Sequence, residues 1–316
     1  MDKNSKPLFI ISGQTATGKT SRGLSFAKKI DGEILSADSR QSYKYLDVIS
    51  GKDIEEDNYI RVAQIGGFSI GYYVVQSVRI WLYDITDPKQ RFSSYEWALC
   101  AREVLSILQK RKKIPLIVGG SYFYIKTLID GLTSSAEPDW NLRRELEALT
   151  VDDLQKKLSE IDPDILRALN SSDRYNKRRL IRKIEQRSEI NQRNALPALS
   201  GYSPKWIGLI HLTENALKNA IEKRIKERMK RGALDEISLL LNMGYMPGDP
   251  GMQSIGYQQL TEHICSDVSL ENAIERWKIK ERQYAKRQKT AMKKDVRVQF
   301  FSPGQINNDE LSSMLQ

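Results

Sequence analysis

The sequence is poor in cysteine and histidine, and it contains no long apolar run. Its only cysteines are Cys100 and Cys265, which are too few and too far apart for a disulfide framework or a cysteine zinc site. The only histidines are His211 and His263, and we expect neither to be functional. No segment approaches the roughly 18 apolar residues that a membrane span requires, and the polar start lacks a signal-peptide pattern. We therefore expect a cytoplasmic protein without a membrane segment.

Acidic residues are also in deficit. The 316 residues include 50 Lys and Arg against 40 Asp and Glu, which gives a formal net charge of +10. The basic residues concentrate in three segments of the second half, residues 174–187, 218–231 and 276–297. A single basic run is usually a solvated helix face, but three such runs favour a polyanionic partner. We interpret them as a nucleic-acid-binding surface.

A glycine-bracketed loop follows the apolar residues 8–11 and precedes a predicted helix. It consists of Gly13, Gln14, Thr15, Ala16, Thr17, Gly18, Lys19 and Thr20. In such a loop the backbone N–H groups and the helix N-terminus bind phosphate oxygens, the lysine bridges them, and the final hydroxyl can hold Mg²⁺. The loop therefore predicts a ligand with a diphosphate or triphosphate group and a magnesium ligand at Thr20, and it does not say what becomes of the phosphates.

The first third of the chain alternates short apolar strands with amphipathic helices. Strands are predicted at residues 8–12, 33–36 and 114–118, and helices at 21–30 and 95–111. This alternation predicts an α/β fold, a P-loop NTPase-like parallel sheet flanked by helices. The predicted organisation is a core of residues 1–134 and 202–301 with an inserted β-hairpin at 58–83, an all-helical insertion domain at 135–201, and a flexible tail at 302–316.

Three predicted strands end in residues that suit an active site. These are Gly13, Asp38 and the pair Gly119-Gly120. Parallel sheets bind ligands at the carboxyl ends of their strands, so we expect these residues to lie together. Asp38 has three possible roles there: a general base for a nucleophile, a structural helix cap, or a magnesium ligand.

Several blocks resemble the tRNA dimethylallyltransferases, and they occur in that family's order over most of the chain. The phosphate loop alone is generic, whereas the blocks around Asp38 and Gln288 are more specific. The blocks are the loop 13–20, Gly32 to Tyr43, Leu116 to Tyr124, Arg178 to Arg182, Arg224-Ile225 ahead of Gly232, Gln253 to Tyr257, and Arg282 to Gln288.

The resemblance implies that a dimethylallyl group passes from dimethylallyl diphosphate to N6 of adenosine 37 in the tRNA anticodon stem-loop. The diphosphate would be held by Lys19, Thr20, Mg²⁺ and an arginine, for which Arg224 fits the spacing to Gly232 better than Arg228. Asp38 would accept the proton of the adenine amine, and Ser121 would lie beside the flipped base. The phosphate loop then binds a leaving group, and no phosphoryl group is transferred.

The resemblance also implies where the tRNA would be contacted. The helical insertion would hold the anticodon stem mainly through its phosphates, and aromatic residues 122–124 could wall the prenyl channel. The implied tRNA contacts are Asp38, Ser39, Arg40, Gln41, Ser121, Arg143, Lys177, Arg178, Arg179, Arg182, Gln253, Ile255, Gly256, Tyr257, Arg282, Gln283, Lys286, Arg287 and Gln288.

The sequence departs from the family pattern at several positions that bear on RNA contact. Arg40 stands where methionine is usual, Glu281 replaces threonine, and Asn176-Lys177 replaces a common Asp-Pro. A pair of histidines usual before Leu-Ile-Asp is absent, and residues 79–84 read Arg-Ile-Trp-Leu-Tyr-Asp. We expect these departures to affect details of RNA contact and not the predicted diphosphate site.

Other functions share parts of this pattern. A small-molecule or nucleotide kinase shares the loop and the sheet, but it leaves the three basic segments unexplained. An adenylate isopentenyltransferase shares the chemistry, but it has less use for a helical insertion. A non-catalytic RNA-binding protein has no need of Lys19, Thr20 and Asp38 together. We expect a monomer.

Overall fold

The computed structural model describes residues 5–54, 58–132, 140–187 and 195–305. The chain divides into two compact units, the first formed by Met1–Ile129 and Leu199–Gln316 and the second by Asp130–Ala198. The boundaries predicted from the sequence lie at 134/135 and 201/202, a few residues later at each junction. Most of the predicted tail at 302–316 lies outside the described residues. Among those that are described, no helix combines the length and the apolar character needed to cross a membrane.

The first unit is built on one sheet, in which the described strands run in the order β3-β4-β5-β2-β6-β1-β7-β8. Its strands are β1 Lys6–Gly13, β2 Gly32–Ser36, β3 Ile60–Ile65, β4 Phe68–Val75, β5 Val78–Trp81, β6 Ile114–Gly119, β7 Tyr202–Leu209 and β8 Val298–Phe301. Strands β5, β2, β6, β1, β7 and β8 pair in parallel, as predicted for a P-loop NTPase-like core. The predicted fold class is confirmed, although the antiparallel strands β3 and β4 make the complete sheet mixed.

The segment 58–83, predicted as an inserted hairpin, differs from that prediction in the pairing of its last strand. Strands β3 and β4 form an antiparallel pair, but β5 pairs in parallel with β2 and therefore belongs to the main sheet. Strand β8 was not predicted, because four residues after a long basic helix give little periodic signal. It adds to the sheet beside β7.

Helices cover the sheet and fill the rest of the first unit. They are α1 Lys19–Lys29, α2 Ser94–Lys110, α3 Tyr122–Asp130, α9 Glu214–Lys230, α10 Ala233–Asn242, α11 Tyr257–Cys265 and α12 Leu270–Met292. Helix α1 buries Leu24, Phe26 and Ala27 in a core with sheet residues such as Ile34 and Val118. A second core joins helices α9 to α12 around the fully buried Trp277. Together these cores fix α9 and α12 beside the strand ends.

The second unit is helical, and it contains α4 Trp140–Ala148, α5 Val151–Ile161, α6 Pro163–Ala168, α7 Ser171–Arg174 and α8 Lys177–Glu185. Its core is a small cluster of leucine and isoleucine side chains, among them Leu146, Leu158 and Ile181. Polar caps separate the short helices: Thr150 forms a capping box with Asp153, and Asp162 caps the helix that Pro163 begins. Each such cap contributes about 1 kcal/mol to helix stability.

Candidate functional site

The phosphate loop joins β1 to α1, as the sequence predicts. Gly18 precedes the helix in the left-handed region at φ 74°, where glycine is favoured. Gly13 is required for another reason, because a Cβ at this position would lie 2.3 Å from the backbone oxygen of Leu209 on β7. The loop is tied to the same strand by the hydrogen bond from Gln14 N to Leu209 O, 2.9 Å long. The open N–H groups of the first helical turn therefore face a fixed position beyond the sheet.

Lys19 begins α1 and folds back over the loop. Its Nζ donates to the backbone oxygen of Gln14 at 2.6 Å. Burial, reinforced by the positive charge of Arg224, lowers the pKa of Lys19 from 10.5 to about 7. An anion bound in the loop would oppose both effects and favour the charged ammonium group.

Arg224 and Arg228 lie one helical turn apart on α9. Both contact Ser50, and Arg224 also contacts the phosphate loop. Arg224 donates to Thr15 Oγ1 at 3.1 Å and to Ser50 O at 3.4 Å. Arg228 donates to the same carbonyl of Ser50 at 3.1 Å and is buried. Arg224 lines the cavity described below, whereas Arg228 stands behind it. This arrangement agrees with the choice of Arg224 that the spacing to Gly232 indicates.

Asp38 lies just beyond β2, next to the ends of β1 and β6. Its Oδ1 accepts a hydrogen bond from Arg40 N at 3.0 Å, and Ser39 N donates to Ser121 Oγ at 3.0 Å. Residues 37–50 form turns and contain no helix, so the alternative role of Asp38 as a helix cap is wrong. Asp38 is instead held in a turn, with its carboxylate on the cavity wall.

Strands β2 and β6 approach each other very closely at this point. Ser121 N donates to Ala37 O at 2.9 Å. A Cβ on Gly119 would lie 2.1 Å from that same oxygen, so only glycine fits. Gly119, the last residue of β6, therefore allows the close approach that brings Ser121 beside residues 37–39.

Helix α12 closes the site through residues of its C-terminal half. Gln288 accepts from Thr15 N at 2.9 Å and donates to Gly120 O at 2.9 Å, which ties the phosphate loop to the end of β6. Gln14 Nε2 donates to Ala285 O at 3.1 Å. Tyr284 hydrogen-bonds with Ser121, and burial together with the charge of Asp38 raises the pKa of Tyr284 to about 12. Gln288 is buried and forms part of this wall, and its expected contact with tRNA stays a prediction.

These elements enclose a cavity of about 370 Å³ within the first unit. Its lining combines basic, acidic and neutral polar side chains with apolar surface from Ile34, Tyr83 and Val118. The aromatic residues 122–124 are not among its lining residues: Tyr122 packs on Trp206, Tyr124 packs on Trp97, and Phe123 is exposed. Lining residues with polar side chains include Thr15, Thr17, Lys19, Thr20, Ser36, Asp38, Arg40, Gln41, Ser50, Asp53, Lys223, Arg224, Glu227, Tyr284 and Gln288.

Apart from residues 38–41 and Ser121 at the strand ends, the residues expected to contact RNA fall into three groups. On α12, Arg282 is partly exposed, and Gln283, Lys286 and Arg287 are exposed. In the second unit, Arg178 and Arg179 are exposed, whereas Arg143 and Arg182 both pair with the buried carboxylate of Glu185, at 2.5 Å and 3.2 Å.

The third group surrounds the start of α11. Gln253 is exposed and Ile255 is partly buried. Gly256 and Tyr257 are buried, and the Tyr257 hydroxyl accepts a hydrogen bond from Ser50 N at 3.2 Å. Their contacts support the loop that carries Ser50.

Two residues that shape the site were not among the predicted site residues. His211 was expected to be incidental, but its backbone N donates to Gln14 Oε1 at 2.8 Å and its Nε2 lies 3.1 Å from Ala16 O. Burial lowers the pKa of His211, so the neutral ring can donate that second bond. Tyr284 could have been predicted from the sequence, because it lies one helical turn before Gln288 and therefore on the same face of α12.

Few of the described side chains in the site could bind a metal ion. No group of three or more His, Cys, Asp or Glu side chains with the geometry of a metal site occurs among the described residues. The hydroxyl of Thr20 and the carboxylate of Asp38 do line the cavity. Such a set suits Mg²⁺, which commonly binds through one or two protein oxygens, water and the phosphates of a substrate.

The chain is similar to known proteins over nearly its whole length. Residues 41–295 match the family described as IPP transferase, and residues 6–61 match the family described as isopentenyl transferase. The tRNA dimethylallyltransferase of Thermoanaerobacter sp. (strain X514) is 32% identical over 321 residues, a match that covers 96% of this chain and 94% of that relative.

Two solved structures are similar in fold. The full-length tRNA isopentenylpyrophosphate transferase from Bacillus halodurans has a TM-score of 0.65 and 26% identity, with coverage of 98% of this chain and 96% of that protein. A eukaryotic dimethylallyltransferase acting on tRNA has a TM-score of 0.71 at 23% identity, with coverage of 95% and 74%. The second likeness concerns the fold alone.

Proposed function

The chain belongs to the IPP transferase family, and on that premise we propose that it transfers a dimethylallyl group from dimethylallyl diphosphate to N6 of adenosine 37 in tRNA. The observation that carries the proposal is one cavity whose lining includes both the phosphate loop and Asp38. A phosphate site and a potential base in the same cavity suit a reaction in which diphosphate leaves as a nucleophile loses a proton.

The donor would bind with its diphosphate in the loop. Backbone N–H groups of the first turn of α1, Lys19 and Arg224 are available to its oxygens. The dimethylallyl group would lie against the apolar wall formed by Ile34, Val118 and Tyr83. As the bond between the allylic carbon and oxygen breaks, its electron pair leaves with the diphosphate, and these cationic groups stabilise the growing negative charge.

The acceptor would enter beside Asp38. The lone pair of the adenine amine forms the new bond to the allylic carbon, and the Asp38 carboxylate accepts the proton that N6 loses. An exocyclic amine is a weak nucleophile, so a positioned base has a clear task. Ser121 Oγ lies next to this carboxylate through its bond to Ser39 N, where a hydroxyl can contact the flipped base.

Mg²⁺ is part of the proposal. Thr20, which lines the same cavity, would hold it together with the donor phosphates. When bound, the ion supplies further positive charge for the departing diphosphate. The tRNA would be bound largely through its phosphates by exposed basic residues such as Arg287 and Arg178. We further propose that the protein acts as a monomer in the cytoplasm, where its RNA substrate occurs.

The test is a set of parallel incubations with Mg²⁺. Purified protein receives dimethylallyl diphosphate with either unmodified tRNA that reads codons beginning with U or AMP, and a further sample receives ATP with tRNA. Nuclease digestion and mass spectrometry should detect the dimethylallyl group at adenosine 37. Prenylated AMP alone would indicate an adenylate isopentenyltransferase, ATP consumption without prenylated tRNA a kinase, and tRNA binding without turnover a non-catalytic protein.

Asp38→Asn tests the proposed base. The amide oxygen can still accept the hydrogen bond from Arg40 N, so the turn is preserved while the basicity is lost. Turnover should fall by about 100-fold or more, as for removal of a general base, with binding of tRNA and diphosphate retained. Asp31→Asn is the matched control, since Asp31 is an exposed carboxylate paired with Lys113 at the other end of β2. Full activity of Asp38→Asn would refute the assignment.

A further inference from the structure

Two departures from the family pattern, Arg40 and Glu281, form one buried ion pair. Arg40 Nη1 lies 2.7 Å from Glu281 Oε1, and the two side chains are 11% and 3% exposed. The Arg40 guanidinium also stacks over the ring of Tyr284, with its central carbon 4.8 Å from the ring centroid. Arg40 and Tyr284 both line the cavity, so the pair belongs to its wall.

Only one of the two carboxylate oxygens of Glu281 has hydrogen-bond partners in this position. Oε1 accepts from Arg40 and, at 3.4 Å, from Trp277 Nε1, whereas Oε2 is buried without a hydrogen-bond partner. Burial alone would raise the pKa of Glu281, but the charges of Arg40 and Arg224 oppose it and keep this pKa below its ordinary value. The carboxylate therefore stays ionised and interacts with both arginines that line the cavity.

Stability alone does not account for such a pair. The cost of desolvating two charges often exceeds their attraction, and apolar side chains of similar size stabilise a fold equally well. The pair does change the electrostatics of the proposed donor site. Lys19, Arg40, Lys223 and Arg224 line the cavity together with the acidic residues Asp38, Asp53 and Glu227. Glu281 adds a further buried negative charge beside the two arginines without occupying the phosphate loop.

We propose that Glu281 sets the affinity of this site for diphosphate by competing with it for the arginines. The inference rests on the proposed function, because it assumes that diphosphate binds in the loop. Glu281 weakens the hold on the diphosphate product and so favours its release, while Arg40 adds attraction that Glu281 largely offsets. Both residues thus tune substrate and product binding, and neither needs to touch the reacting atoms.

The two partners should therefore act on diphosphate binding in opposite directions. Glu281→Gln frees the charge of Arg40, so inorganic diphosphate should bind at least about threefold more tightly. Arg40→Met leaves the Glu281 charge beside Arg224, so binding should weaken by at least about threefold. The double variant Arg40→Met/Glu281→Thr, which carries the residues usual in the family, should return to within about twofold of the unchanged protein, because it removes both opposing charges.

The experiment is calorimetric titration of inorganic diphosphate, with Mg²⁺, into the full-length protein and each variant at one ionic strength. Glu262→Gln is the matched control, since Glu262 forms an exposed pair with Arg276 on α12 and should leave the affinity unchanged. If Arg40→Met does not fold, tighter binding by Glu281→Gln than by the double variant still supports the proposal. Shifts in the same direction for both single variants, or no shift in Glu281→Gln, would overturn it. No binding of diphosphate by the unchanged protein would instead overturn the donor site.

Discussion

Diphosphate binding should be accompanied by proton uptake at Lys19. In the free protein the pKa of this lysine is lowered to about 7 by burial and by Arg224. Diphosphate oxygens beside Nζ favour the ammonium form, so the pKa rises on binding. Because the bound pKa is the higher one, the ligand prefers the protonated protein, and its affinity should fall as the pH rises above 7.

The size of the effect follows from that pKa. A group with a pKa near 7 is about half protonated at pH 7, and only about one tenth protonated at pH 8. Binding should therefore take up about 0.5 proton at pH 7, about 0.9 at pH 8 and about 0.1 at pH 6. A lysine at its ordinary pKa of 10.5 would take up almost none over this range.

The assay is calorimetric titration of inorganic diphosphate in buffers with different ionisation enthalpies, because the slope of heat against that enthalpy gives the number of protons exchanged. Diphosphate itself exchanges protons, so Lys19→Arg is the control: its guanidinium stays charged and contributes no uptake. The difference between the two proteins reports Lys19. Equal uptake by both at pH 8 would show that Lys19 is already charged in the free protein, and the reasoning would be refuted.

Three substitutions test the packing around the site. Gly119→Ala places a Cβ 2.1 Å from Ala37 O, so the melting temperature should fall steeply, and an unchanged value contradicts the close approach of the strands. Gln288→Leu leaves Thr15 N–H and Gly120 C=O without their partner, so denaturant unfolding should show a loss of about 1–3 kcal/mol for each group; a loss below that range argues against both bonds. Glu185→Gln removes the buried negative charge that pairs with Arg143 and Arg182, which should destabilise the second unit by about 3 kcal/mol, and unchanged hydrogen exchange there would count against the pairing.

The parts of the fold that depend on local spacing could be predicted from the sequence. The phosphate loop between β1 and α1 and the strand ends at Asp38 and Gly119 follow from residues close together in the chain. The choice of Arg224 also depends on local spacing, and it stays a prediction. Strand β5 was misassigned, because its parallel pairing with β2 depends on a distant register that no local period encodes. Family likeness supplied the proposed reaction, and the structure supplied the contacts among its residues.

The contacts that join distant elements could not be predicted. Gln288 bonds to Thr15, which is 273 positions away in the chain, and His211 reaches the loop only because β7 pairs with β1. Arg40 and Glu281 looked like two unrelated departures from the family pattern. In space they form a single charge-balanced change, since a buried arginine without a partner would be strongly unfavourable. Only the structure shows that these two departures from the family pattern are paired.

The spacing between Arg224 and Gly232, which indicates Arg224 as the diphosphate-binding arginine, also has a structural basis. Gly232 adopts φ 91° and separates α9 from α10, which turns Glu236 back toward the loop before Ser50. There the Glu236 carboxylate accepts hydrogen bonds from the backbone N–H groups of residues 47–49, at 2.5, 2.7 and 2.9 Å. That loop presents Ser50 O, the acceptor for both Arg224 and Arg228. The glycine thus fixes the carboxylate, the carboxylate fixes the loop, and the loop directs Arg224 toward the phosphate site.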